Sequence, residues 1–414
     1  MILPRLALRN LLRQRRRTLL TLLVLVAGYV ALSLAGGFMA QTFQGLADGA
    51  IRGGLGHVQL LPPAALDSGE EGSLEQALPD GRALAERLAA DRAVAAVLPR
   101  LQFMGLLSNG PRSVAYLGTA VDPVGEARHM AVLQQVRDGA RAPGGQGSRW
   151  LSADPEAREV VLGTGLARSL GVKVGDALTL MSTTKGGALN AVDVEVVGLL
   201  DLSLKELNDR CLTVSLATGD LLLQSEGARS RLSLVLVRPA EAGAVAVRLA
   251  QDHPGLAVRP WYQLAAFYQQ VRMLYVAIFG FMGLVLFLVV FLATANALLM
   301  GVMERIREFG VLRATGLQAR GLLALLQWEG AFLGLFGAGL GLALTLLLRA
   351  GLNALHVQMP APPGTSHGYE LFIHLVPGVY VGAWLFLQAT LQLSALLPGL
   401  KAARLRVVEA LRHV

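Results

Sequence analysis

Four long apolar runs organise the chain. Thr18–Ala40 carries no charge over 23 positions, and Met273–Met303 none over 31. Leu322–Leu348 holds Glu329 as its one charged residue, and Leu371–Leu397 holds His374 as its one titratable residue. A bilayer core takes about 20 apolar residues in helical form, so the spacing predicts spans at 18–40, 273–303, 322–348 and 371–397. The second run exceeds one crossing and should tilt or project as a stalk. The first is longer than the roughly 7–15-residue apolar core of a signal peptide. Phe38-Met39-Ala40 is also a poor cleavage site, so this run reads as a retained span.

Residues 41–271 have ordinary globular patterning. A Gly-rich stretch, Gly45–Gly56, precedes a strand at His57–Leu61 and a loop with Pro62-Pro63, Asp67, Glu70 and Glu71. A helix follows at about 81–90, then an extended run Val94–Leu107 interrupted by Pro99. Much later come a strand at Leu232–Val237, a helix at about 240–251, a turn at His253-Pro254-Gly255 and a strand at Leu256–Val258. This is β-α-β, an insertion, then β-α-β, the split βαβ order of a ferredoxin-like sandwich. It predicts one lobe from 41–108 and 231–271, with a β-rich lobe, 109–230, inserted into it. Strand candidates in the insertion are Val114–Thr119, Glu159–Leu162, Ala177–Met181 and Val192–Leu200, and Gly139–Gly147 reads as a flexible loop. The fold class is therefore an α-helical membrane protein with four transmembrane helices and an α+β extracytoplasmic domain.

Charge sharpens this picture. The chain is 53% hydrophobic and 16% charged, against roughly 25% charged in soluble domains. Its net charge of +8 suggests nucleic acid only until it is divided by position. Residues 1–17 hold six Arg and no acid, whereas 41–271 hold 21 basic and 24 acidic residues. Residues 304–320 hold four Arg and two Glu, and 398–414 hold four basic residues and one Glu. Basic segments beside apolar runs mark the cytoplasmic side. Both termini and the 304–320 loop are thus expected inside, with 41–271 and the 349–370 loop outside and no nucleic-acid partner. Arg5, Arg9, Arg13 and Arg17 recur every four residues, opposite Leu8, Leu11 and Leu12. That pattern fits a helix on the inner membrane surface or a plain topogenic charge cluster.

Enzyme signatures are absent. The sequence has no Gly-x4-Gly-Lys-Ser/Thr phosphate loop, no Gly-x-Ser-x-Gly elbow and no His-Glu-x-x-His. Its seven His are scattered, and the single Cys211 reads as a small buried apolar residue. No catalytic residue, metal ligand or cofactor site is expected in this chain. Glu329 lies eight residues into its span, about 12 Å at the helical rise. It fits a packing role near the inner headgroups or a coupling role between spans. Gly330, Gly334 and Ala338 recur at four-residue spacing, as do Gly337 and Gly341. Small residues so placed permit close helix contact. With four spans per chain, a dimer is the natural way to build a pathway.

The segment Glu304-Arg305-Ile306-Arg307-Glu308-Phe309-Gly310-Val311-Leu312-Arg313-Ala314-Thr315-Gly316 is the most informative. Ile306, Phe309 and Leu312 follow helical spacing with charges opposite, and Gly316 can end the helix in a left-handed cap. It reads either as a lever pushed by a soluble partner or as a solvated turn.

This segment resembles the coupling helix of FtsX-like permeases, the lipoprotein-releasing Lol and MacB-type branch in particular. The order of one span, a large outer domain and three spans is similar too. So are Asn10–Leu20, the stretch Val161–Asp176 and the tail Ala402–Arg412. Gly56-His57-Val58-Gln59 supports the Lol side, whereas Thr315 stands where a hydrophobic residue is commoner. The resemblance implies a bacterial inner-membrane subunit of a mechanotransmission ABC transporter. Its partners would be two ABC ATPase subunits that bind ATP and Mg, and a second permease chain, identical or a sister. Its cargo would be a lipoprotein or another hydrophobic molecule. Phe309, Val311 and Leu312 would then fill a groove on the ATPase, Arg305, Arg307, Glu308 and Arg313 would frame it, and Gly310 would permit close approach. A tripartite efflux permease for drugs or peptides, and a regulator of a cell-wall hydrolase, remain the alternative readings.

Overall fold

The structure, a computed structural model, describes residues 2–66, 77–78, 80–202, 205–359 and 369–403. The acidic loop Asp67, Glu70 and Glu71, and the tail from Arg404 onward, lie outside the described residues. The chain divides into two compact units. One comprises 1–44, 271–358 and 370–414; the other is 45–270 with 359–369.

Along the chain, α1 (Ile2–Arg13) precedes α2 (Arg15–Ala50), which ends in a π-turn at Ile51–Leu55. The Gly-rich stretch expected to open the globular region is therefore helical to Ala50: Gly45 and Gly49 have no neighbour in reach and leave the backbone ladder intact. Next come β1 (Val58–Leu61), α3 (Gly81–Ala89), β2 (Val94–Ser108), β3 (Ser113–Val121), α4 (Pro123–His129) and α5 (Val132–Gly139). They are followed by β4 (Glu159–Gly163), α6 (Thr164–Leu170), β5 (Ala177–Thr183), β6 (Leu189–Leu200), α7 (Lys205–Asn208), β7 (Cys211–Ser215) and α8 (Leu216–Leu223). The globular unit closes with β8 (Arg231–Leu236), α9 (Ala242–Asp252), β9 (Ala257–Pro260) and α10 (Trp261–Leu264). Last are α11 (Ala266–Glu304), α12 (Ile306–Ala314), α13 (Ala319–Ala354) and α14 (Pro377–Ala403).

In the globular unit, β2, β8, β1 and β9 lie side by side and antiparallel. With α3 and α9 they form the expected split βαβ lobe over a core that includes Leu60, Leu84, Leu234 and Leu249. The insertion is a closed six-stranded barrel in the order β3-β7-β4-β6-β5-β2, sealed by β2–β3. Leu101, Phe103, Tyr116, Leu162, Leu180 and Leu199 fill it. The division at 108/109 needs correction, because β2 belongs to both lobes. It is 15 residues long, enough for two sets of partners. It pairs with β8 up to Arg100 and with β3 from Arg100 onward.

Among the described residues, four helices are long and apolar enough to cross a membrane. The span expected at 371–397 begins instead at Pro377. Proline suits the first turn of a helix, where its missing N–H is not needed. The preceding residues are tied to α13: Arg349 Nε and Asn353 Nδ2 donate to the carbonyl of Ile373 at 2.8 and 3.2 Å, and Ile373 N–H donates to Asn353 Oδ1 at 2.9 Å. The two stripes of small residues serve contacts inside the chain. Gly330 and Gly334 face Leu391 and Gln388 of α14, whereas Gly337 and Gly341 face Leu25 and Tyr29 of α2. Ala338 is buried in the same core. Gln327 and Gln392 clasp α13 to α14, each side-chain amide donating to the other's backbone carbonyl at 3.2 and 3.3 Å.

Candidate coupling site

At one end of the helical unit, α1 and α12 pack beside α13. The α11 helix stops at Glu304 because Arg305 leaves helical geometry, with φ −119° and ψ 22°. The nine-residue α12 then forms and closes at Gly316, whose φ of +102° favours glycine. Gly316 N–H donates to Arg313 C=O at 3.2 Å, and Leu317 N–H to Leu312 C=O at 3.0 Å. These two bonds make a Schellman cap. Leu312 and Leu317 both pack on the apolar base, as that motif favours.

The helix has two faces, and they are not divided as expected. Phe309 is 1% exposed, in a cluster with Ala7, Val302, Leu322, Leu325, Leu326 and Ala402. Ile306 and Gly310 are buried beside it, and Leu312 is half-buried. Phe309 and Gly310 are thus part of the chain's own core and are not free to meet a partner. The reason is the loop's shortness: an apolar face five residues from α13 finds its cover there. Glu304, Arg307, Val311, Ala314, Thr315 and Gly316 form the exposed side, while Glu308 and Arg313 are intermediate.

Arg305 also points inward. Its side chain is 13% exposed; Nε donates to Glu308 Oε2 at 2.6 Å, and Nη1 lies 3.6 Å from Glu329 Oε1. Its guanidinium stands 5.1 Å from the Phe309 ring centroid, within cation–π range. Glu329 is buried and accepts a 2.7 Å hydrogen bond from Asn10 Nδ2 of α1. Two further pairs, Arg17–Glu304 and Arg13–Glu308, each at 3.6 Å, join α2 and α1 to the same loop. Gly301 lets Arg17 approach α11, since a Cβ there would stand 2.8 Å from Nη1. Hence the ionic network Arg13–Glu308–Arg305–Glu329 ties α1, α12 and α13 together with Glu329 at its inner end, and the Arg17–Glu304 pair joins α2 to α11 beside it. The roles of Asn10 and Arg17 were not legible beforehand. The sequence marked Arg17 only as the last of a four-residue Arg series and Asn10 only as part of the basic N-terminal stretch.

The α11 helix buries Val290, Thr294, Leu298 and Val302, spaced by four. Phe281, Leu284, Leu288 and Leu292 on its other sides are exposed. Such an arrangement is suited to passing mechanical load between helices. No group of three or more metal-ligating side chains occurs among the described residues.

A helical unit interrupted after its first span by a two-lobed α+β domain defines a polytopic membrane protein of permease type. Residues 280–407 match the FtsX-like permease C-terminal family, and residues 18–252 match the MacB-like periplasmic core domain. The chain belongs to the FtsX-like permeases that carry a MacB-like periplasmic core domain. It is 26% identical over 202 residues to the lipoprotein-releasing system transmembrane protein LolC of Neisseria meningitidis, covering 47% of this chain and 48% of LolC. This match therefore spans about half the length of that relative. LolE of Haemophilus influenzae is 22% identical over 347 residues, covering 79% of this chain and 80% of LolE. The periplasmic region of MacB from Actinobacillus actinomycetemcomitans aligns at 13% identity with a TM-score of 0.34, covering 53% of this chain and 95% of that region.

Proposed function

We propose that this chain is the membrane subunit of a mechanotransmission ABC transporter that moves a lipoprotein or similar hydrophobic cargo on the outer side of a bacterial inner membrane. The observation that carries the reading is the two-faced α12. One face is built into the base of the bundle, and the other presents Arg307 and Val311 outward, flanked by the exposed Glu304 and Thr315 just beyond its two ends. An ATPase subunit pressing on the outward face moves a helix already keyed into α13 by Phe309 and into Glu329 by Arg305. Two ATPase subunits carry ATP and Mg; this chain contributes no catalysis. The bare apolar sides of α11 suit a second permease chain and lipid. The likeness to LolC and LolE supports lipoprotein as the cargo.

The docking test is a pair of substitutions on the outward face. Arg307→Glu and Val311→Asp should abolish co-purification of the ATPase while thermal unfolding of the chain stays within about 0.5 kcal/mol of wild type. Normal co-purification by both variants would exclude this face as the docking surface. Sidedness is tested separately. A reporter inserted after Gly187, in the exposed β5–β6 turn, should read periplasmic, and one after Gly316 cytoplasmic. The reverse would remove the ATPase reading altogether.

A further inference from the structure

In the globular unit, Arg100 and Glu126 form a buried ion pair. Their side chains are 15% and 2% exposed, and Arg100 Nη2 lies 2.7 Å from both Glu126 oxygens. Burial pushes the Glu126 carboxyl above its ordinary range, and Arg100 opposes that shift. Buried pairs add little net stability compared with apolar residues of similar size, and in some proteins they fix one geometry instead.

The pair's position gives that geometry a use. Arg100 is the residue at which β2 passes from β8 to β3, so it sits where the two lobes join. Glu126 belongs to α4 of the inserted lobe. The same guanidinium rests on Gly54 in the π-turn that ends the α2 helix. Gly54 has φ +132°, and a Cβ there would collide with Arg100. The turn is gripped on its other sides as well. Arg52 C=O accepts from Ala131 N–H at 2.9 Å, and Gly54 C=O accepts from Ser233 Oγ at 3.0 Å. Next to the pair lies a cavity of about 160 Å³ lined by Gly53, Gln135 and Trp150 among others. That space gives the turn and α4 room to shift if the grip is lost.

We propose that Arg100 is a positioning residue: paired with Glu126, it locks residues 45–55, the end of α2 and its π-turn, to both lobes of the globular unit, so that this segment and the lobes move as one body. The consequence for transport rests on the function proposed above; the positioning itself does not.

The test uses the full chain in lipid nanodiscs, in a Cys211→Ser background with spin labels at Asp48→Cys and Ala177→Cys. The parent should give one narrow distance distribution. Glu126→Gln should add a second population, with thermal unfolding still cooperative. The double variant Arg100→Met with Glu126→Gln removes the buried charge and should recover stability, yet keep the second population. A distribution in the double variant that superimposes on the parent overturns the proposal, because the pair would then matter for stability alone. Unchanged distances in Glu126→Gln overturn it as well. If that single variant unfolds, the double variant decides. In the assembled transporter, Glu126→Gln should retain ATP hydrolysis and lose cargo release. Normal release together with a second distance population would leave the positioning intact and count against the transport reading.

Discussion

Replacing Phe309 with alanine lowers the stability of the helical unit by about 3 kcal/mol, the usual cost of emptying a buried aromatic site, whether or not an ATPase is present. The ring is 1% exposed and enclosed by Ala7, Leu322, Leu325 and Leu326, so its removal leaves a void between α12 and α13. It also removes the aromatic face beneath Arg305. The measurement is thermal unfolding of the isolated chain in nanodiscs. A Phe309→Leu control retains most of the volume and should lose less than half as much. If Phe309→Ala unfolds like wild type but fails to hold the ATPase, the side chain faces the partner after all, and the assignment of the two faces is reversed. Reading Phe309 as an interface anchor predicts that second outcome, so one experiment separates the two.

Glu329→Gln should leave the fold and ATPase association intact and reduce ATP-driven transport on the order of tenfold, the equivalent of about 1.4 kcal/mol of lost ion-pair interaction. The amide oxygen still accepts from Asn10, 2.7 Å away in the wild type. The charge facing Arg305 is gone, and Arg305 retains Glu308 alone. Motion of α12 is then poorly relayed to α13. Glu329→Leu is expected to be harsher by about 1–3 kcal/mol of stability, because it also leaves the buried Asn10 amide without its acceptor. Both are read by reconstituted transport set beside unfolding temperature. Unimpaired transport in Glu329→Gln would assign Glu329 to packing alone.

How much of this was legible in the sequence depended on the range of the interaction. Span number, the split βαβ order and a short helix within 304–316 follow from hydrophobic period, charge placement and turn residues. All of these act over a few neighbours in the chain. Gly316 is the clearest case: a left-handed cap is a local backbone requirement, and it stands where the sequence placed it. The bounds of the last span shifted because Pro377 was counted within an apolar run when it starts the helix.

What the sequence could not decide was the partner of each surface. The stripe of apolar residues in α12 predicts that something covers it, and hydrophobic contact carries no address. Tertiary packing supplied Ala7 and Leu322, residues separated by 315 positions, as that cover. The glycines of α13 predicted close helix contact in the same way, and only the fold chose α14 for Gly334 and α2 for Gly341. Strand β2 looked like one lobe's strand because alternation is blind to a change of partner at Arg100. Charges were least legible of all. Glu329 announced itself by its cost in an apolar span, but Asn10 and Arg305, the groups that compensate it, are brought to it by helices that only the folded bundle sets side by side.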